Sequence, residues 1–189
     1  MSKAKAAIPQ PYLGRIEGLR AEIKKRKLDG YLVLDRMDQY WLTGFTGEDG
    51  QVLVTPKAVV LLTDGRFDEA ADIQAPYAKK VLRKQRTPET NAKEILRHKV
   101  EKLGFDPGQM TVSDHDALKK LVKPTRLVPS SGVFRDMRAC KDAGEVEVIR
   151  KAIYVAEEAY RRWKNWLKPG VTEREAAARV EYEMQMLGA

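Results

Sequence analysis

In the last quarter of the chain, apolar residues fall at steps of three and four: Val146, Ile149, Ile153, Ala156, Tyr160, Trp163 and Leu167. Side chains at those steps share one face of a helix, so the pattern predicts one long amphipathic helix after Arg138. Pro169-Gly170 ends it, since proline lacks the amide a continuing turn needs and glycine tolerates the left-handed exit. Thr172-Glu173-Arg174-Glu175 then has the form of a capping box, which starts a second helix with Ala176, Val180, Met184 and Leu187 on its inner side. A stripe that includes Tyr160 and Trp163 is wide for a coiled-coil seam. It is expected to lie across a sheet, with a short coiled coil as the alternative. Left uncovered, it would expose apolar surface around Ile153, Tyr160 and Trp163 and drive self-association.

Upstream the periodicity is mixed. Leu13, Ile16, Leu19 and Ile23 trace a helix over residues 12 to 27, and the unbroken run 31 to 35 predicts a strand buried on both faces. Residues 51 to 55 and 58 to 63 form a hairpin, because Pro56-Lys57 is too short a link for anything but antiparallel pairing. A helix over 68 to 75 and a strand over 80 to 83 follow. Thr87-Pro88 opens a helix carrying Ile95, Val100 and Leu103, which Gly104 closes. A strand at 110 to 112, a helix capped by Ser113 and stopped by Pro124, and a strand at 125 to 128 complete the series. Residues 36 to 47, with three aromatics among glycines and polar residues, read as a loop that either folds back on the sheet edge or binds something. Residues 1 to 11 read as a loosely held arm, and 128 to 137 as a linker. The fold class is α/β: a mixed sheet of about six strands with helices on both faces, then two helices whose partner is either earlier in the chain or missing. The boundary is placed between residues 1–137 and 138–189.

Composition narrows the class. In 189 residues, 43% are hydrophobic and 33% charged, which is a globular balance rather than a disordered one. No apolar run reaches bilayer length, and Met1-Ser2-Lys3-Ala4-Lys5 has no apolar stretch behind it to serve as a secretory signal. A single cysteine, Cys140, has no partner for an internal disulfide and fits a reducing cytoplasm. The net charge of +8 is not gathered in one segment. Residues 1 to 30 carry eight Lys/Arg against three acids and 79 to 102 carry nine against three, but 31 to 78 carry three against eight. With no aromatics interleaved, solvated helix faces are favoured over nucleic-acid binding, which would show itself as affinity falling steeply with salt.

The residues offer little chemistry by themselves. His98 stands beside Lys99, which disfavours a proton or a metal, and His115 lies between Asp114 and Asp116, whose side chains diverge on a helix. There is no nucleophile elbow and no phosphate-binding glycine loop. Asp64, Arg66, Asp68 and Glu69 make the densest charged group, best read as acids on a helical first turn. No catalytic residue and no metal ligand is expected within the chain.

Four segments taken together resemble a known family. Gln39-Tyr40-Trp41-Leu42-Thr43-Gly44-Phe45-Thr46-Gly47 is similar to the early motif of Xaa-Pro aminopeptidases, prolidases and creatinases. Thr63-Asp64-Gly65-Arg66-Phe67 is similar to the motif after that family's hairpin, with Phe67 where tyrosine is common. Arg138 to Ala152, containing Lys141-Asp142 and Glu145-Val146, resembles the start of its catalytic domain, and Pro169 to Glu175 resembles the turn between that domain's first two helices. The resemblance implies a creatinase-type N-terminal domain followed by a truncated "pita-bread" catalytic domain. That domain cleaves the bond before proline with two divalent metal ions (Mn, Co or Zn), whose ligands would fall after Ala189, so this chain alone is expected to be inactive. It also implies a homodimer or higher homo-oligomer, a proline-containing peptide substrate, no membrane, and cleft or dimer contacts at Tyr40, Trp41, Arg66 and Phe67. Arg66 could clamp a peptide carboxylate or pair with Asp64 or Asp68. The alternative is a non-catalytic protein-binding module of creatinase-like fold.

Overall fold

The computed structural model describes residues 7–84 and 87–189. Most of the expected N-terminal arm and the Met1 to Lys5 stretch therefore lie outside the described residues. The chain divides into two compact units at Ala139/Cys140.

The first unit is a six-stranded mixed sheet between two helical layers. Its elements run α1 (Tyr12–Lys25), β1 (Gly30–Val33), α2 (Arg36–Thr43), β2 (Gly50–Val54), β3 (Val59–Thr63), α3 (Asp68–Gln74), β4 (Lys79–Leu82), α4 (Thr87–Arg97), β5 (Lys102–Phe105), α5 (Val112–Leu121), β6 (Arg126–Pro129) and α6 (Val133–Ala139). Strand order is β4-β3-β2-β1-β5-β6, and only β2 runs against the others. Successive strand residues point to opposite faces, so alternate positions feed two cores. Tyr31, Val33, Val52, Val54 and Leu61 meet Ile16, Leu19 and Ile23 of α1, Leu42 of α2 and Phe134 of α6 on one face. Leu32, Leu53, Val60, Leu62 and Leu103 meet Ala92 and Ile95 of α4 and Leu118 and Val122 of the α5 segment on the other. The predicted hairpin forms in the register Gly50↔Thr63 to Val54↔Val59.

Five expectations need correction. Residues 36 to 43 are not a loop but α2: the Asp35 carboxylate caps it by accepting from the Asp38 amide, and Gly44 ends it at a left-handed φ of 76°. Leu103 and Gly104 leave α4, which stops at Arg97, and pair as β5. The glycine is needed there because a Cβ would come within 2.6 Å of Leu28 and 2.8 Å of Tyr31. No strand forms at 110 to 112. Thr111, not Ser113, caps α5 through the Asp114 amide, so the expected total of six strands stands with its fifth member moved. The expected linker contains α6.

The second unit is a helix pair, α7 (Ala143–Trp166) and α8 (Glu173–Met186), with Gly170 in the turn at a φ of 94°. Both helices start with complete capping boxes, Asp142 with Glu145 and Thr172 with Glu175. Ile153 and Tyr160 are exposed as expected. Trp163 is not: it is half-buried, and its indole N–H donates to the Ala176 carbonyl at 2.8 Å, tying the two helices together. No helix among the described residues is long and apolar enough to cross a membrane.

Candidate functional site

β1 and β3 end on the same side of the sheet, and the two motif segments of the first unit follow them directly. The Gln39 to Gly47 segment is α2 and its exit, and the Thr63 to Phe67 segment is the end of β3 and a 3-10 turn. They are fastened to each other. Phe45, buried, meets Phe67 edge to face with centroids 6.1 Å apart. The Thr63 hydroxyl donates to the Asp49 carbonyl at 2.6 Å. The Gln39 side-chain amide donates to the Leu34 carbonyl just after β1, and inside the segment the Thr43 hydroxyl donates to the Gln39 carbonyl. Tyr77 reaches across to donate its hydroxyl to the Thr43 carbonyl, and burial pushes that phenol well above its ordinary pKa.

Of the four candidates, Tyr40 and Arg66 reach the surface, while Trp41 is buried and Phe67 partly buried. Tyr40 is 48% exposed and shares its face of α2 with Met37, three residues earlier and also exposed. Trp41 points the other way and is only 9% exposed. It packs edge-on against Phe134, and Arg15 lies 4.7 Å over its ring while donating to its carbonyl at 2.7 Å. Arg66 is 70% exposed on its side chain, and its guanidinium stacks over the partly buried Phe67 at 5.3 Å.

Arg66 is already engaged by carboxylates. It donates to both Asp64 oxygens, at 2.7 Å through Nη2, and to Asp49 at 3.3 Å. The Asp64 carboxyl is held well below the usual range, first by the Arg66 side chain and then by the Arg66 amide. Arg83, mostly buried, closes the group by pairing with Asp49. Asp64 is one of the two partners expected for Arg66; Asp49 and Arg83 join only because the β2–β3 and β3–β4 registers bring them alongside. Asp68, the other partner considered for Arg66, pairs with Lys80 instead.

The remaining chemistry is sparse. His115 Nδ1 does meet the adjacent Asp116 carboxylate, at 3.0 Å, contrary to the expected divergence, and His98 Nε2 lies 3.8 Å from the buried Glu94. Among the described residues no three His, Cys, Asp or Glu side chains gather closely enough to hold a metal. A cavity of about 50 Å³ lies where β1 ends, lined by Leu34, Gln51, Asn91, Gln109, Met110 and Leu118 among others. It has room for a water or two and not for a peptide.

A family model described as the creatinase/prolidase N-terminal domain matches residues 15–140. The chain is 25% identical over 175 residues to the uncharacterized peptidase YqhT of Bacillus subtilis, covering 93% of this chain and 50% of that protein. It is 26% identical over 170 residues to the Xaa-Pro dipeptidase of Pyrococcus horikoshii, covering 87% of this chain and 46% of that one. Among solved structures, the Xaa-Pro dipeptidase from Bacillus anthracis superposes with a TM-score of 0.87 at 28% identity, over 94% of this chain and 50% of that one. The N-terminal domain of the cytoplasmic peptidase PepQ from Mycobacterium tuberculosis gives 0.62 at 32% identity, over 66% of this chain and 98% of that one. The chain thus spans about half the length of these curated relatives.

Proposed function

The chain belongs to the creatinase/prolidase N-terminal domain family, and from that premise we propose that it is the front portion of a proline-specific metallopeptidase of the Xaa-Pro aminopeptidase or prolidase type. Residues 1–137 serve as the N-terminal domain and 138–189 open the catalytic domain. The N-terminal domain pairs protomers into a homodimer or higher oligomer and walls the cleft that receives a proline-containing peptide, in the cytoplasm. Tyr40 and Arg66 make the contacts, with Phe67 stacked beneath Arg66 and Trp41 packed on Phe134 in the core. Arg66, already paired with Asp64 and Asp49, acts in this reading as a fixed surface contact more than as a carboxylate clamp.

The two divalent ions of such an enzyme do not fit the residues present, which offer no cluster of three carboxylate or imidazole donors among the described residues. In our reading their ligands come from residues outside this chain. The observation that carries the proposal is the extent of the likeness, which runs through 94% of this chain but only half of the Bacillus anthracis dipeptidase. The test is an assay of the purified 189-residue chain on Xaa-Pro dipeptides with manganese or cobalt. No turnover above blank is expected, and turnover that a chelator abolishes would overturn the claim.

A further inference from the structure

The basic segments that are far apart in sequence meet at one end of the sheet. Five of the six strands run in one direction, so α1, α4 and α5 all finish at the end where β1, β5 and β6 begin, and the β2–β3 turn lies there too. Lys57 in that turn, Lys27 before β1, Lys99 and Lys102 at β5, and Lys123 and Arg126 at β6 are all exposed. None of the six forms an ion pair with a described residue. The register sets Lys102 opposite Arg126 and Gly30 opposite Leu103. Neighbouring strands lie about 4.8 Å apart, so the row from β2 to β6, three spacings, spans roughly 14 Å. The acids at this edge are few: Asp29 accepts from the Lys102 amide, and Glu101 is exposed.

Two of these lysines occupy backbone that favours glycine. Lys27 and Lys99 have φ of 55° and 53°, the only positive values among described non-glycine residues. Each ends its helix in the same way: the lysine amide donates to the residue three back, and the following buried Leu28 or Val100 donates to the residue five back. Glycine is the usual choice at that position, because a Cβ is strained there. Helix dipoles account for lysines in the last turns of α1 and α5. They do not account for Lys57 on a hairpin turn or for Lys102 and Arg126 on strand ends.

We propose that this edge is a docking surface for duplex nucleic acid, held through its phosphates. Six unpaired cations in a row about 14 Å long can reach both backbones across a major groove about 12 Å wide. Among the described residues of this unit the one large exposed aromatic, Tyr40, lies at the opposite end of the sheet, so the described edge offers no stacking platform for unpaired bases. Contact through phosphates alone makes the binding independent of sequence.

The test is fluorescence anisotropy of the 189-residue chain with a labelled duplex DNA of arbitrary sequence. Saturable binding is expected at 50 mM salt, weakening about a thousandfold at 200 mM if all six cations engage. The variant Lys57→Glu/Lys102→Glu/Arg126→Glu should weaken binding at least about a hundredfold at 50 mM salt, while Arg36→Glu at the opposite end leaves it unchanged. Lys27→Gly/Lys99→Gly relieves the backbone, so it should weaken binding without lowering Tm. That variant carries the test if the triple reversal fails to fold. Absence of saturable binding at 50 mM salt, equal losses from Arg36→Glu, or stronger binding to poly-glutamate, which would mark an acidic protein as the partner, would each overturn the proposal.

Discussion

Ile95 on α4 and Ile153 on α7 occupy the same kind of place in the sequence, an apolar step on an amphipathic helix, and arrive in opposite surroundings. Ile95 is 0% exposed, packed with Leu32, Leu53 and Leu103 of the sheet, while Ile153 is 50% exposed. The contrast extends to the units that hold them. The first is organised by contacts distant in sequence, with two cores divided by alternate strand residues. The second relies on local devices: two capping boxes, Glu158 held by Arg161 and Arg162, and the Trp163 indole on Ala176. In its 24 residues α7 buries only Ala159. Periodicity says that a face needs cover and is silent on what covers it.

The strongest way to break this comparison is Ile95→Ala. It removes buried methyl groups from a packed core and leaves a cavity, at a cost of about 2–5 kcal/mol. Denaturant unfolding of the first unit measures it, and a cost below about 1 kcal/mol would mean that the sheet-facing core is looser than its burial implies.

Next is Asp142→Ala. The Asp142 carboxylate accepts from the Glu145 amide at 2.9 Å, and losing such a cap costs about 1 kcal/mol. Because the device is local, amide exchange should quicken in the first turns of α7 and stay unchanged in β1, β2 and β3. Acceleration shared equally by both units would erase the distinction between local and long-range stabilisation.

Acid should separate the units by sign. Hydrogen bonds from Arg161 and then Arg162 hold Glu158 down at about 2. A depressed carboxyl contributes stability above its unfolded pKa and loses it as pH falls toward the folded value, here between about 4.5 and about 2. Asp38 in the first unit is pushed the other way, mainly by burial and against the hydrogen bond from Arg138. Its contribution is present in acid and lost as pH rises through its raised value. Amide exchange followed from pH 5 to pH 2 should show α7 loosening, and Glu158→Gln should flatten that response.

The same difference explains what the sequence could disclose. Helices with complete local signals were legible to within a few residues: α1 from its stripe, α8 from Thr172 and Glu175. α2 was missed because the aromatics and two glycines of residues 36 to 47 suggested a loop, although Asp35 at the cap and Gly44 at the exit were present as signals. β5 was missed because Val100 and Leu103 continue the spacing of α4. Only the close approach of Leu28 and Tyr31 reveals Gly104 as a strand residue. At the candidate site, the Arg66 pair with Asp64 is two residues long and could be anticipated. Its contacts with Asp49, and Arg83 beside them, depend on strand register, which hydrophobic pattern does not encode between distant segments. The basic edge was illegible for the same reason. A divided excess of charge in sequence says nothing of where parallel strands will begin.

The smallest expected effect is the sharpest. At Ile153 the side chain is half in solvent, so truncation removes little buried area and leaves no enclosed cavity. Alanine is also a better helix former than isoleucine by roughly 0.3–0.5 kcal/mol. Ile153→Ala should therefore be neutral or slightly stabilising for α7, against the several kcal/mol expected at Ile95. Amide exchange at low protein concentration gives the value for the lone chain. If the substitution instead costs more than about 1 kcal/mol, and more so as protein concentration rises, this face of α7 is covered by a second copy in solution. The contrast between the two isoleucines would then reflect assembly, not the design of the units.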